Sequence, residues 1–391
     1  MAWRPDLALG PEVDAFRAEV RGFLDEAMAS ARADGHRDPR DLTGWDETFE
    51  REVVHAAGTA GLLGVSLPTS LGGRGAPPSR QAVLSFEAAY RDAPLVDTAA
   101  VLVAPTVVAF GSDAQRSGFG RDAVAGTVAA CIAYTEADAG SDLTNVATTA
   151  RAVGDTYVLD GEKVLVTGAH KADWCCTIAR TDPESSGRRG LSMFLLPLRT
   201  PGVAVERVPT ANRWTLGTIR FDGAEVSADA LLGTLGEGWH QMTAALLGER
   251  SGAAWLGWAT RDVEALRDAC AGTSDDVMRD ALADLETRLF LGFRLAERVI
   301  RAQDEGRAPF VEGAMAKVWM TELLQRIARV GAAVAGPAVA GEPGWFADRA
   351  LASWFAYETV ERLHPTLSVG ANEVQRTTIG EAGLGLPREP R

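Results

Sequence analysis

Two short segments of the chain carry residue types that could do chemistry. The first is the pair Glu249 and Arg250, within the run Leu-Leu-Gly-Glu-Arg-Ser-Gly-Ala-Ala at residues 246–254. A carboxylate is a proton acceptor, and a site that excludes water raises its basicity, so Glu249 could serve as a general base. The same sequence is also compatible with an ordinary glutamate on a helix surface, exposed or paired with a neighbour. The residue types alone leave both interpretations open.

The second segment is the loop at residues 134–143, which reads Tyr-Thr-Glu-Ala-Asp-Ala-Gly-Ser-Asp-Leu. A small residue such as Gly140 lets the backbone approach a ligand closely, and the hydroxyl groups of Thr135 and Ser141 can donate hydrogen bonds. A plain surface turn rich in Gly, Ser and Asp explains the same letters. The loop is therefore a candidate binding site with a structural alternative.

The composition excludes several classes of protein. The chain has 391 residues, 46% of them hydrophobic and 24% charged, which suits a globular protein of two or three domains. Its formal net charge of −14 argues against nucleic-acid binding, which depends on Lys and Arg.

Apolar runs stop well short of the roughly 20 residues that span a bilayer, and no apolar secretion segment opens the sequence. We expect a cytoplasmic protein, and the four cysteines, which lack zinc spacing, predict no metal site.

The hydrophobic pattern divides the chain into three parts. Residues 14–127 show helical spacing, interrupted by a loop rich in Pro and Gly at 67–75. A β pattern begins near residue 128, and helical spacing returns after residue 235. The predicted strands are 149–153, 156–159, 163–167, 175–179, 193–198, 203–208 and 218–221, with a hairpin turn at Asp160 and Gly161. The predicted C-terminal helices are 242–269, 276–303, 311–334 and 348–363.

Six motifs, in one order along the chain, resemble those of the acyl-CoA dehydrogenase family. They are residues 60–75, 134–143, 167–174, 179–182, 372–376 and 384–387. The resemblance covers nearly the whole chain and implies an α+β protein with the acyl-CoA dehydrogenase fold. Its three domains would be an N-terminal helical domain at 1–127, a middle β-barrel-like domain at 128–235 and a C-terminal four-helix bundle at 236–391.

The resemblance also implies a reaction, the FAD-dependent α,β-dehydrogenation of an acyl thioester (EC 1.3.-.-). In this family a carboxylate removes the α-proton while flavin N5 takes the β-hydride, and an electron-transfer flavoprotein or another acceptor receives the electrons. The thioester would be an acyl-CoA or an acyl-carrier protein. The family motifs imply FAD-binding residues at Tyr134, Thr135, Gly140, Ser141, Thr167 and Asn372. Ser141 would also contact the substrate.

The position of the base departs from the commonest family pattern. Most members carry a glutamate in a C-terminal Glu-Gly-Thr loop, where this chain has Val369, Gly370 and Ala371. Valine cannot accept a proton. A minority of members, similar to isovaleryl- and long-chain acyl-CoA dehydrogenases, place the base in a Glu-Arg pair on the long helix after the β domain. The resemblance therefore assigns the base to Glu249, with Arg250 orienting it or contacting the substrate.

Other departures concern the flavin and the partner subunit. Family members usually have a Trp against the flavin face where this chain has Leu165, and a Thr where it has Ala371. Homomeric members supply an Arg-x-x-Phe-Gly segment to the neighbouring subunit's FAD, and residues 270–280 lack it. The chain resembles instead the actinobacterial branch with steroid side-chain dehydrogenases, some of which pair unlike subunits. A homo-oligomer with other FAD contacts and a heteromer with a homologous subunit both stay open.

Two other functions fit the same fold. One is a flavoprotein with oxidase chemistry, or with elimination or cyclisation without net oxidation, in a biosynthetic pathway of secondary metabolism. The other is a non-catalytic subunit of a heteromeric dehydrogenase. Val369, Leu165 and Ala371 favour that interpretation, and the presence of Glu249, Ser141 and Thr167 opposes it. The sequence identifies neither the acyl group nor the choice between lipid and steroid metabolism.

Overall fold

The computed structural model describes residues 6–33, 45, 47–95, 98–211, 215–248, 251–336 and 349–388 of the chain. Helices come first, strands follow and helices return, as the sequence predicts. The first helices are α1 (Pro11–Ala33), α2 (Glu47–Thr59), α3 (Pro78–Tyr90), α4 (Ala104–Phe110), α5 (Asp113–Gln115) and α6 (Arg121–Val124). The strands are β1 (Ala130–Ala133), β2 (Thr149–Val153), β3 (Thr156–Thr167), β4 (Trp174–Arg180), β5 (Leu191–Pro197), β6 (Val203–Pro209), β7 (Thr215–Ser227) and β8 (Leu231–Leu232). The last helices are α7 (Gly238–Gly248), α8 (Ala253–Ala269), α9 (Asp276–Asp304), α10 (Phe310–Ala335), α11 (Arg349–Glu361), α12 (His364–Leu367) and α13 (Asn372–Thr378).

The chain divides into two compact units, each with its own core. The sheet unit comprises Glu47–Ala76 and Asp97–Glu249. The helix-bundle unit comprises Met1–Asp46, Pro77–Val96 and Arg250–Arg391. Both units draw on more than one of the three consecutive domains expected from the sequence, and that three-part division stays a prediction.

The sheet unit is built on a mixed sheet with the strand order β6-β7-β3-β2-β4-β5-β8, and β1 pairs beside β4. The pairing of β1 with β4 is parallel, whereas β3 pairs antiparallel with both β2 and β7. Strands β4 and β5 are buried along nearly their whole length, which explains their continuous apolar sequences. Leu159, Ile178 and Phe194 are fully buried in this unit.

The hairpin turn predicted at Asp160 and Gly161 is wrong. Strand β3 runs without interruption from Thr156 to Thr167, and its pairing with β7 shifts register between Leu159 and Gly161. Gly161 has φ +145°, and a Cβ on it would lie 2.6 Å from Oγ1 of Thr148. The glycine therefore serves a β-bulge with a close backbone approach, which has the same local sequence signal as a turn.

The C-terminal part of the helix-bundle unit is held by packing among α8, α9, α10 and α11. Leu256, Phe293, Met320 and Phe355 are completely buried in its core. Helix α9 begins at a side-chain cap, since the carboxylate of Asp275 accepts hydrogen bonds from the first-turn backbone N–H groups. These four helices correspond to the bundle that the sequence predicts.

The single helix predicted over 242–269 is also wrong. Helix α7 ends at Gly248 and α8 begins at Ala253, and Gly252 has φ +73°. A left-handed glycine ends helical geometry, so the helical spacing on either side belongs to two helices. Glu249 and Arg250 fall between them and lie outside the described residues.

No helix in the described part of the chain is long and apolar enough to cross a membrane.

Candidate active site

The candidate cofactor loop, residues 134–143, leaves the end of β1 and folds back on itself. The backbone N–H of Glu136 donates to the carbonyl of Ala139 over 3.0 Å, and the reverse bond measures 3.2 Å. This pair closes a tight turn within the loop. Gly140 and Ser141 follow the turn and are exposed.

A buried ion pair anchors this loop to the sheet. The Glu136 carboxylate accepts hydrogen bonds from the Lys163 ammonium at 2.7 Å, from the Ala147 N–H at 2.7 Å and from the Thr148 N–H at 3.0 Å. Lys163 lies on β3, is fully buried and also donates to the Tyr134 carbonyl at 3.4 Å. The pair therefore fixes both the start of the loop and the segment that leads into β2.

Burial and pairing act in opposite directions on the two charges. Burial tends to raise the pKa of Glu136, but the hydrogen bond and charge of Lys163, with the two N–H donors, lower it below its usual 4.5. Burial lowers the pKa of Lys163, and the Glu136 carboxylate opposes that shift. The stability that ionised Glu136 contributes is thus complete above pH 4.5 and is lost as the pH falls through its lower folded pKa.

A β-bulge in β3 makes a second connection to the loop. Between Lys163 and Val166 the register with β7 shifts, so two residues of β3, Val164 and Leu165, face one residue of the neighbouring strand. The N–H of Val164 donates instead to the carbonyl of Thr135 over 2.9 Å. The bulge thereby fixes the candidate cofactor loop at Thr135.

Three hydroxyl groups of the loop and of β3 form no hydrogen bond with any described residue. They belong to Thr135, Ser141 and Thr167, and the last two residues are exposed. Gly140 has ordinary backbone geometry, and a Cβ on it would meet no atom within 4 Å. Packing does not require glycine there, so the missing side chain keeps the loop surface open. Free hydroxyl groups beside an open loop are a donor set that fits the polar edge and phosphates of a nucleotide cofactor.

Tyr134 plays a different part from the exposed loop residues. Its side chain is buried, and its hydroxyl lies 3.7 Å from the sulfur of Cys176. Burial raises the pKa of Tyr134 and raises that of Cys176 to about 12, and Cys131 and Cys175 are buried in the same region. The Tyr134 side chain therefore belongs to the core of the sheet unit, and only its backbone is left for a ligand.

Asn372, in the helix-bundle unit, is also buried. Its side-chain oxygen accepts from the fully buried Lys317 ammonium at 2.7 Å, and its amide group donates to the Thr321 hydroxyl at 3.1 Å. Lys317 further donates to the carbonyl of Thr366 at 3.2 Å. These bonds join α10 to the segment between α11 and α13, which contains Val369.

Backbone strain marks two of the positions at which the sequence analysis expects a departure from the family pattern. Among the described residues, the non-glycine residues with positive φ are Asp92, Leu165 and Val369. Leu165 has φ +57° with 63% of its surface exposed, and Val369 has φ +54°. Left-handed backbone is unfavourable for any side chain and a true outlier for a β-branched one, and such strain concentrates at functional sites.

Family models match most of the chain. The N-terminal domain of acyl-CoA dehydrogenase matches residues 10–127, the middle domain residues 131–224 and the C-terminal domain residues 236–384. The chain belongs to the acyl-CoA dehydrogenase family. The α+β fold and the enzyme class predicted from the sequence are thereby confirmed.

Individual relatives agree with this assignment. The acyl-CoA dehydrogenase FadE29 of Mycobacterium tuberculosis is 31% identical over 398 residues, which cover 98% of this chain and 99% of FadE29. The solved steroid acyl-CoA dehydrogenase Tcur3481–Tcur3483 has a TM-score of 0.88 at 25% identity, covering 98% of this chain and 100% of that chain. The ChsE4–ChsE5 complex from Mycobacterium tuberculosis has a TM-score of 0.84 at 26% identity, with 98% and 100% coverage. The resemblance to the actinobacterial steroid-type branch is confirmed, and family membership implies FAD.

Sequence reasoning missed the residues that hold the candidate site together. Glu136 lies inside a motif recognised for its small residues, and Lys163 and Lys317 lie within apolar strand and helix patterns. The sequence did contain a signal that Lys163 is buried. Alternate residues of a strand share one face, and Lys163 lies four residues after the buried Leu159. Neither pattern reveals which acceptor compensates a buried lysine, since its partners are distant in sequence.

The ion pair predicts strongly coupled mutations. Lys163→Met leaves the Glu136 carboxylate without its cation, and we expect the free energy of unfolding to fall by about 3–5 kcal/mol. Glu136→Gln should cost a comparable amount because it leaves a buried ammonium, whereas the double variant should lose clearly less than the sum. Denaturant unfolding of all four proteins measures this coupling. Glu162→Gln is the control: it removes an exposed ion pair between β3 and Arg220 of β7, and the free energy of unfolding should change little. Additive losses from the two core variants would contradict the pairing.

Proposed function

We propose that this chain is the base-carrying subunit of an FAD-dependent dehydrogenase that oxidises an acyl thioester between its α and β carbons. The observation that carries the proposal is the anchored loop 134–143, which presents an open glycine and two hydroxyl groups that no described residue engages. A third such hydroxyl, that of Thr167, lies on β3, the strand to which the loop is bonded at Thr135. The family implies FAD for a site of this composition. When bound there, FAD would accept the hydride from the β-carbon.

The residues proposed to hold the cofactor act in three ways. Thr135, Ser141 and Thr167 donate hydrogen bonds through side chains that no described residue engages. Gly140 and the backbone of Tyr134 allow close approach. Asn372 acts through the C-terminal segment that it fixes, because its own amide is bonded within the helix-bundle unit.

Glu249 is proposed as the base that receives the α-proton, with Arg250 orienting its carboxylate or contacting the substrate. The α-proton of a thioester is only weakly acidic, so its removal requires hydrogen bonds to the thioester carbonyl and exclusion of water. Ser141 is proposed to contact the substrate as well. Val369 occupies the position at which most family members carry the base, and it cannot accept a proton. Glu249 is the carboxylate at the alternative position that the family pattern offers.

The substrate is proposed to be an acyl-CoA or acyl-carrier-protein thioester, and the electron acceptor an electron-transfer flavoprotein or another acceptor. Similarity to an enzyme named a steroid acyl-CoA dehydrogenase supports a bulky acyl group. The choice of thioester carrier has no support from the described residues.

A homologous second subunit is proposed to complete the FAD site. Two similar structures are named as pairs of unlike chains. In the position of the missing Arg-x-x-Phe-Gly segment, α9 is capped by Asp275 and begins at Asp276, and Arg279 is bonded to Asp276. An acidic turn whose arginine is already paired is poorly suited to a phosphate group. The partner would supply that cation.

Replacement of Glu249 by Gln tests the base. The amide cannot accept a proton, so the rate of the chemical step should fall by several orders of magnitude while FAD content is retained. Single-turnover reduction of bound flavin by acyl-CoA measures the step, and Glu305→Gln, at an exposed loop, is the matched control. A Val369→Glu change in the Glu249→Gln background is expected to recover part of the activity. Full turnover by Glu249→Gln alone would exclude this base.

Removal of the free hydroxyl groups tests the cofactor site. Ser141→Ala and Thr167→Ala should each cost about 0.5–1.5 kcal/mol of FAD binding, so that the double variant binds roughly tenfold or more weakly. Ser117→Ala is the control, because that hydroxyl is bonded to a helix carbonyl in the same unit. FAD titration followed by absorbance gives the affinities, and an unchanged Kd in the double variant would place the cofactor elsewhere.

The occupancy of purified protein tests the second subunit. An arginine–phosphate hydrogen bond is worth roughly 1.5–3 kcal/mol, so its absence should weaken FAD binding about ten- to a hundredfold. The chain alone should therefore purify with less than one FAD per subunit and gain flavin when co-expressed with a homologue that carries the Arg-x-x-Phe-Gly segment. Absorbance against protein mass measures the ratio. One FAD in every subunit of a homo-oligomer would show that the partner is unnecessary.

A further inference from the structure

Arg180, the last residue of β4, has a side chain that is bonded entirely to backbone carbonyl groups. The acceptors are the carbonyls of Thr144 (3.0 Å), Val146 (3.3 Å), Ser185 (3.1 Å), Gly187 (3.4 Å) and Arg189 (3.1 Å). A guanidinium group carries five N–H donors in a rigid planar fork. The donors of Arg180 and the carbonyl acceptors around it therefore match in number.

These carbonyls belong to two irregular segments of the sheet unit. One segment, residues 141–148, follows the turn of the candidate cofactor loop and begins at Ser141. The other, residues 181–190, connects β4 to β5. A single planar group thus sets the distance between two stretches of backbone that form no regular secondary structure with each other.

The first segment passes the position of Arg180 on to Ser141. The carboxylate of Asp142, next to Ser141, accepts from the Thr144 N–H at 3.1 Å and from the Asn145 side-chain amide at 3.1 Å. These bonds close a tight turn between Ser141 and the Thr144 carbonyl that Arg180 holds. A movement of that carbonyl would therefore carry Ser141 with it.

The contacts of Arg180 and Glu136 are complementary. Glu136 holds the end of the segment, through the N–H groups of Ala147 and Thr148. Arg180 holds its middle, through Thr144 and Val146, and the Arg180 backbone N–H donates to the Thr148 carbonyl over 2.8 Å. The Glu136 carboxylate alone leaves the stretch nearest Ser141 unfixed.

We infer that Arg180 is a positioning residue for the cofactor, which fixes the place of the Ser141 hydroxyl through the Thr144 carbonyl. This inference rests on the proposed function, since it takes Ser141 as a contact of FAD. A hydrogen bond weakens steeply once its donor and acceptor leave the range of 2.7–3.2 Å. A small displacement of the segment therefore has the same effect on FAD as removal of the Ser141 hydroxyl.

A double-mutant cycle tests this dependence. Arg180→Met removes all five donors at similar length and should weaken FAD binding about two- to tenfold, as Ser141→Ala does. In the Ser141→Ala background, Arg180→Met should cost no further affinity. In the Thr167→Ala background the two losses should multiply, because Thr167 lies on β3 and not in the segment. FAD titration below the melting temperature of every variant, with the homologous partner where binding needs it, gives the affinities.

Two more variants separate the fork from its charge and from general damage. Arg180→Lys keeps the positive charge with three donors on a flexible stem, so it should lose FAD affinity in the same Ser141-dependent manner. This variant also carries the cycle if Arg180→Met does not fold. Arg116→Met is the matched control, because Arg116 donates to the Val108 carbonyl at 3.1 Å in another part of the sheet unit. Its FAD affinity should equal that of wild type.

Each contrary result has a distinct meaning. Wild-type FAD affinity in Arg180→Met overturns the inference and leaves the proposed function intact. Equal losses in the Ser141→Ala and Thr167→Ala backgrounds show that Arg180 does not act through Ser141. Full affinity in Arg180→Lys beside a loss in Arg180→Met assigns the effect to charge acting on FAD directly. Failure of wild type to bind FAD, alone and with the partner, rejects the proposed function and this inference together.

Discussion

The candidate site depends on the buried ion pair between Lys163 and Glu136. A turn that leaves a sheet exposes backbone N–H groups that must find acceptors, and the Glu136 carboxylate serves two of them. A buried carboxylate needs a cation, and the ammonium group of Lys163 on β3 provides it. The outer surface of the loop can then carry small residues and unbonded hydroxyl groups, because its position is fixed from beneath.

The helix-bundle unit uses the same physical solution. Lys317 is as fully buried as Lys163, and it also donates to oxygen atoms of a segment that the family pattern places at the active site. An ammonium group has three donors on a flexible stem, so one lysine can hold several points of an irregular segment. Each unit therefore fixes a candidate functional segment with a buried ammonium group.

The sequence predicted the order of helices and strands because apolar periodicity reports which face of each element is buried. It failed where glycine has more than one use: Gly161 is in a bulge and not a hairpin turn, and Gly252 interrupts what reads as one long helix. The exposed positions of Ser141 and Thr167 agree with the roles predicted for them without testing those roles. Glu136, Lys163 and Lys317 could not be paired from the sequence, because their partners depend on tertiary contacts. The left-handed backbone at Leu165 and Val369 was equally hidden, since neither residue type predicts it.

The buried cysteines beneath the candidate cofactor loop have a practical consequence. Thiols react as thiolates, and burial raises the pKa of the Cys175 and Cys176 thiols. These two cysteines should therefore react very slowly with alkylating reagents while the sheet unit is folded. Cys270, in the helix-bundle unit, is only half-buried. The rate at which the buried thiols are modified therefore measures how often the sheet beneath the loop opens, and the measurement needs no added label.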